Sequence, residues 1–301
     1  MTSPPASQQS LQDEIASLEA RLRAAKAELN HQQDVSPDSR ISGNESSAAL
    51  HALLLLSDSA LPLGSFAFSS GLESYLAHHK QPASSPQLPL FNTFLRLSLA
   101  TLASTALPYV LAGYRNPADI ETLDNDFDAS TPCTVARRAS IAQGRALLAV
   151  WERSFKTQYR HSSRSTDAHA PAESDGSTST IAVNALSSFS LALRSAPHEL
   201  HAHYPPLWGV VSRVLGVPLD QAGYLFLFSH ARTVMSAAVR ASVMGPYQAQ
   251  ALLASRELQD RIRGLVSEGW EKMPQEAGQS VPVMDLWVGR HEKLYSRIFN
   301  S

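Results

Sequence analysis

The side chains best suited to chemistry in this sequence are histidines and carboxylates, and their spacing limits what they can do. His198, Glu199 and His201 spell H-E-L-H, and His203 follows two residues on. Imidazole is a good ligand for nickel or zinc, and an i, i+3 pair puts two rings on one helix face. The zinc-protease motif H-E-x-x-H needs its second histidine at i+4, so this segment falls one residue short of it. Pro197, Pro205 and Pro206 bracket the group and argue against a regular helix there. Polar residues at a helix–helix connection are the plainer reading, with a nickel-binding or nickel-storage group formed by His198, His201 and His203 as the alternative. His78 and His79 fall near a helix end, where they complement its dipole. Asp119, Glu121, Asp124, Asp126 and Asp128 form an acidic run that reads as a solvated face. A hard-cation site would need oxygen ligands at loop spacing around a glycine turn, and the run has none.

Other catalytic signatures fail. No G-x-x-x-x-G-K-[ST] and no G-x-G-x-x-G occurs, so the backbone nest that cradles nucleotide phosphates is missing. Gly64–Gly71 (GSFAFSSG) contains serines but no G-x-S-x-G elbow. The single cysteine, Cys133, excludes an intrachain disulfide and a Cys-based zinc cluster within this chain, and points to a reducing compartment. No resident cofactor is expected.

Composition bounds the class. Lys and Arg total 25 against 27 Asp and Glu, a net charge of −2, whereas nucleic-acid-binding domains carry a basic excess. Hydrophobic residues make up 44% of the 301 and charged residues 17%, a globular composition. The opening residues MTSPPASQQS lack a basic stretch and an apolar core, so no secretory signal is visible and a cytoplasmic location is expected. The uncharged run between Arg96 and Arg115 contains Ser98, Thr101, Ser104, Thr105 and Pro108. It is too short and too rich in hydroxyls for a membrane span and reads as a buried helix.

The elements that must position these groups are helical. Apolar periodicity predicts helices over 48–58, 65–80, 86–113, 117–127, 134–158, 181–195, 205–215, 219–243 and 246–268, with period-2 alternation almost absent. The fold expected is all-α, a single bundle of about nine to eleven helices with a disordered N-terminal extension. The stretch 219–243 is apolar nearly all round and is expected at the centre. Residues 1–47 stand apart as an extension. Within it Leu11, Ile15, Leu18, Leu22, Ala25 and Leu29 form a short heptad seam, and 31–47 reads as a linker. Residues 48–301 form the helical domain, with a low-complexity insertion at about 159–180 expected to be disordered.

Two segments are richer than packing alone requires. In Leu54–Glu73 a helix stops at Pro62 and Gly64; Gly64, Ala67 and Gly71 form a small-residue face; and Glu73 sits among apolar neighbours. Tight packing with an ordinary exposed glutamate is one reading and a binding position the other. In Ser236–Gln250, Arg240 closes an apolar helix before Gly245-Pro246, serving either the helix C-terminus or a contact.

These segments resemble the UreF family of urease accessory proteins, in its eukaryotic, fungal-type branch. Residues 53–76 resemble the family's N-terminal signature at Pro62, Gly64, Phe66, Ser69, Gly71, Leu72 and Glu73. Residues 201–217 resemble its H-Y/F-P-x-x-x-G segment at His203, Pro205 and Gly209. Residues 236–250 resemble its A-x-x-R-x-x-x-x-G-x-x-x-x-Q segment at Ala237, Arg240, Gly245 and Gln250, and 290–301 its H-x-x-x-x-S-R-L-F-x-S ending. Pro246 stands where the family commonly has the first Gln of G-Q-T-x-x-Q.

The resemblance implies a non-enzymatic chaperone that dimerises, binds UreD (also called UreH) and recruits the GTPase UreG to apo-urease. In that picture nickel is handled by the complex and is not held tightly by this chain. It implies partner-facing roles for Gly71, Glu73, His203, Arg240, Gly245, Arg297 and Phe299. The tail adds its own support, because aromatic and Arg anchors are typical interface hot spots.

Overall fold

The computed structural model describes residues 39–79, 87–162, 175–196 and 198–300, together with Leu18 and Arg21. Two compact units are present, Met1–Ala48 and Ala49–Ser301. Every regular element among the described residues is helical: α1 (Ser39–Ser57), α2 (Leu72–His78), α3 (Leu88–Thr105), α4 (Leu107–Arg115), α5 (Ile120–Ser130), α6 (Thr134–Val150), α7 (Lys156–Ser162), α8 (Asp175–Ser195), α9 (Tyr204–Val214), α10 (Leu219–Arg240), α11 (Pro246–Leu253), α12 (Arg256–Gly269) and α13 (Val283–Arg290). The expected all-α bundle is the fold.

Several boundaries differ from those expected. Residues 39–47, read as linker, continue α1 towards the N-terminus, and residues 159–162 and 175–180 of the presumed insertion are helical. Residues 163–174 and the heptad seam, apart from an exposed Leu18, lie outside the described residues. The single helix expected over 65–80 is interrupted. Gly64, Ser70 and Gly71 all have positive φ, which breaks the run into a 3-10 turn (Ser65–Ala67), an extended residue at Phe68, and α2. The helix α13 was missed: it is one short run, and Gly289 and Pro282 blur its apolar pattern.

The core is built on backbone contact as well as side-chain burial. The helix α9 is buried at every position from Pro205 to Val214 except Arg213, so the most enclosed helix is this one. The longer α10 exposes part of one side. Where α4 crosses α9, a Cβ on Gly209 would stand 2.1 Å from the Val110 carbonyl, and one on Gly113 would stand 2.6 Å from the Pro206 carbonyl. Trp208 fills the space beside this crossing and donates its indole N–H to the Ala222 carbonyl at 3.0 Å. The end of α9 shows why it stops. Gly216 takes φ +74, its N–H bonds the Arg213 carbonyl, and the Val217 N–H bonds the Ser212 carbonyl, a Schellman ending. Arginines close other helix ends: Arg213 donates to the Tyr114 and Arg115 carbonyls, Arg232 to the Ser57 carbonyl, and Arg115 to the Trp270 carbonyl, where cations are favoured.

The stretch Leu88–Arg115 is long and apolar enough to cross a membrane, but most of it is buried inside the protein, with α3 and α4 meeting at Ala106. On α3, Ser98 Oγ lies 2.6 Å from His230 Nε2 of α10. Burial pushes His230 down to about 4 from its ordinary 6.5. Its folded form therefore binds fewer protons than the unfolded chain between those values. Its contribution to stability is complete above pH 6.5 and is lost as pH falls towards 4. At about 1.4 kcal/mol per pH unit the loss is at most about 3 kcal/mol. Urea midpoints measured from pH 7 to 4.5 should fall, and His230→Gln should flatten that slope.

Candidate functional site

The site is assembled where the C-terminal residues return to the turn between α1 and α2. Gly64 starts the 3-10 turn, and the left-handed Ser70 and Gly71 redirect the chain into α2. Glu73 thereby falls in the first turn of α2, a favourable place for an anion, with its carboxylate aimed at the tail. Glu73 Oε2 accepts from His291 Nε2 at 2.9 Å and from the Phe299 N–H at 3.3 Å, while Oε1 accepts from the Ile298 N–H at 2.8 Å. The Asn300 N–H adds a bond of 2.8 Å to the Ala67 carbonyl. One glutamate thus ties three donors of the chain's own end to its second helix, through bonds strengthened by the carboxylate charge.

Arg240 and Phe299 complete the strap. Phe299 is buried, and the Arg240 guanidinium lies over its ring, 4.3 Å from the centroid, within cation–π range. The same guanidinium donates to the Phe66 carbonyl, and burial lowers its pKa. Gly71 has a packing role: a Cβ there would meet Val288 Cγ2 at 3.0 Å and the Val288 nitrogen at 3.1 Å, so α13 rests directly on it. On the flank, Arg138 Nη2 and Glu292 Oε1 pair at 2.6 Å, and that hydrogen bond lowers the Glu292 pKa. What faces outward is apolar and aromatic: Phe66 is 69% exposed, Ile298 61%, and Tyr295 wholly so, with Arg297 exposed between them.

The other expected positions lie elsewhere. Gly245 is exposed at the start of α11, with nothing near its Cα hydrogens. His203 was expected to face a partner, but it has no exposed surface. Its Nε2 meets Asp128 Oδ1 at 3.0 Å, its Nδ1 meets Ser140 Oγ at 3.1 Å, and its ring stands edge-on to Phe127. Burial is the largest influence on it and lowers its pKa, against the opposing pull of Asp128. His198 is exposed, and His201 Nε2 lies 3.6 Å from Asp128 Oδ2. Among the described residues no group of three or more His, Cys, Asp or Glu side chains is arranged to hold a metal ion. The three histidines do not form the nickel group that their spacing left open.

The acidic run corrects in the same place. Asp124 is buried, not solvated. Its carboxylate accepts three successive backbone N–H groups, those of His201, Ala202 and His203, at 2.7, 3.1 and 2.5 Å. That nest holds Ala202 at φ +64 and seats the turn against Gly144, whose Cβ would stand 2.0 Å from the Ala202 carbonyl. The sequence carried a signal for this, since Asp124 falls on the face made by Ile120, Leu123 and Phe127, all buried. Asp124→Asn, which keeps the shape but loses the charge and one acceptor, should cost about 2 kcal/mol in urea unfolding. An unchanged midpoint would mean the nest does not hold the turn.

Comparison with known proteins places these features in a family. The UreF family model matches residues 91–257. The chain is 35% identical over 257 residues to an uncharacterized urease accessory protein UreF-like of Schizosaccharomyces pombe, covering 85% of this chain and 99% of that protein. It is 29% identical to urease accessory protein 6 of Cryptococcus neoformans, covering 86% and 99%. It is 32% identical to urease accessory protein F of Arabidopsis thaliana, covering 82% and 90%. An all-helical body and family matches that span most of its length agree, and the chain belongs to the UreF family of urease accessory proteins.

Proposed function

We propose that this chain is a non-catalytic assembly factor whose strap presents a surface to a UreD-type (UreH-type) partner. The resulting assembly brings the GTPase UreG to apo-urease so that nickel can be inserted. The observation that carries the proposal is the division of labour along the tail. Phe299 and the Ile298 and Phe299 amides are spent on holding the strap, while Phe66, Tyr295, Arg297 and the Ile298 side chain are left outward on a fixed frame. Exposed aromatic, aliphatic and Arg side chains held rigidly are the composition of an interface centre. Arg297 is one of its residues in this reading, beside Phe66, Tyr295 and Ile298, and Glu73, Arg240 and Phe299 hold the strap from behind. The phosphate-binding loop absent from the sequence is supplied by the GTPase, and nickel passes within the complex without a tight site on this chain. The chain acts in the cytoplasm as a homodimer.

The mechanism is linkage. A partner that prefers one arrangement of the assembly shifts the population towards it, and the size of the shift is the difference in its affinity for the two arrangements. Purified chain mixed with UreD and UreG from the same source should co-elute from a size-exclusion column. Separate elution under all nucleotide conditions would overturn the reading.

A further inference from the structure

Behind the strap, helices α3, α6, α10 and α13 line a chamber of about 320 Å³, within the roughly 300–1,000 Å³ typical of small-ligand sites. Its charge is of one sign. Neither Lys nor Arg lines it, and His230 on its wall is neutral, since burial pushes the ring's pKa down to about 4. Asp285 is the wall's one carboxylate. It is half-buried in the first turn of α13, a place that favours an anion, and its Oδ1 accepts from Gln279 Nε2 at 3.1 Å. Among the described residues it nevertheless belongs to no ion pair. The hydroxyls of the wall are one-sided as well. Thr105 gives its hydrogen to the Thr101 carbonyl at 2.8 Å, Thr131 and Ser130 give theirs to Phe127 at 2.7 and 3.1 Å, and Thr233 to Ser229 at 2.9 Å. A hydroxyl has a single hydrogen, so what these four have left to offer is lone pairs.

We propose that the chamber binds a small primary amine in its ammonium form, with Asp285 as the counter-charge. A wall of acceptors and one carboxylate calls for a ligand that is positive and donates without accepting, and an alkylammonium has three N–H donors and no acceptor. Its chain suits the rings of Phe127 and Phe226, which form other parts of the wall and also attract a cation to their faces. Other ligand classes fit worse. An anion would meet Asp285 with no Lys or Arg to offset it, and an apolar molecule would strip water from the carboxylate and return nothing. A hard divalent cation needs about six oxygen ligands, and among the described residues no group of His, Cys, Asp or Glu is arranged to hold a metal ion.

The probe is n-butylammonium, titrated into the full chain at pH 7 and followed by saturation-transfer NMR and calorimetry. Butan-1-ol, which keeps the chain without the charge, and butyrate, which reverses the charge, are the controls. The wild-type chain should bind butylammonium saturably, butanol at least about tenfold more weakly, and butyrate not at all. Asp285→Asn keeps the shape and an acceptor for Gln279, and it should weaken butylammonium binding by at least about tenfold, as the loss of a charged acceptor implies. Glu257→Gln removes an exposed carboxylate from the first turn of α12, outside the chamber, and should change nothing. Thr233→Val, nearly isosteric, removes one acceptor oxygen and should weaken binding severalfold, which keeps the test intact if Asp285→Asn lowers the melting temperature. A signal that never saturates, butanol binding as well as butylammonium, or equal losses in Asp285→Asn and Glu257→Gln would show only diffuse attraction to the protein's acids or its apolar surface. Binding unchanged in both Asp285→Asn and Thr233→Val would place the amine outside the chamber. Any of these results would overturn the proposal.

Discussion

Glu73→Gln should leave the helical body folded and yet weaken association with the proposed UreD-type partner by at least about a hundredfold, near 3 kcal/mol. The amide keeps the size of the side chain but offers one acceptor oxygen in place of two and no charge. Of the three donors now held, His291 Nε2 and the Ile298 and Phe299 N–H groups, at least one is left without a partner. Bonds to a charged acceptor contribute roughly 1.5–3 kcal/mol each, enough to undock the strap. A loose strap must then be ordered by the partner, at about 0.5–1.5 kcal/mol for each side chain immobilised. Two measurements separate the links. Amide exchange at 298–300 in the chain alone reports whether Glu73 holds the strap, and calorimetry with the partner reports whether the held strap is what binds. Tyr295→Ala is the complement: exchange at 298–300 should be unchanged while affinity falls. Unchanged exchange in Glu73→Gln would refute the latch. Unchanged affinity in both variants would move the interface elsewhere.

Much of this was legible in the residues, and the misses have physical causes. Helical periodicity located nearly every long helix because burial repeats with the helix period. It failed at 65–80, where composition is helical but Ser70 and Gly71 adopt left-handed backbone. A serine gives no notice of positive φ, and there the fold overrides local preference. The importance of Glu73 was visible as a carboxylate among apolar residues, but its partner was not, since His291 lies 218 residues further along the chain. The same limit hid Asp124. An acid in a run of acids reads as solvated, and only the tertiary fold brings three peptide N–H groups to its carboxylate. His203 shows the converse case. Its position in a family motif pointed to a partner, whereas the structure spends both ring nitrogens on Asp128 and Ser140.

Gly144→Ala and Gly209→Ala should each lower the stability of the free chain by more than about 3 kcal/mol, a large part of the 5–15 kcal/mol typical of a folded domain. On propensity alone both would help, since alanine in a helix interior is favoured over glycine by about 1 kcal/mol. Space decides against it. The new methyl would stand 2.0 Å from the Ala202 carbonyl oxygen in the first case and 2.1 Å from the Val110 carbonyl oxygen in the second. Both obstacles are backbone, so no side-chain rotation relieves them and the elements must separate, which breaks the packing of α6 on the 201–204 turn or of α4 on α9. Gly264→Ala is the control, because it lies in α12 with nothing within 4 Å of the added carbon and should be neutral or stabilising. Urea unfolding of the three variants orders them, and a Gly209→Ala midpoint equal to that of Gly264→Ala would contradict the close crossing. The contrast with Glu73→Gln also guards the functional reading. The glycine variants would lose partner binding because the frame itself fails, so only a variant that keeps its melting profile can speak for the strap.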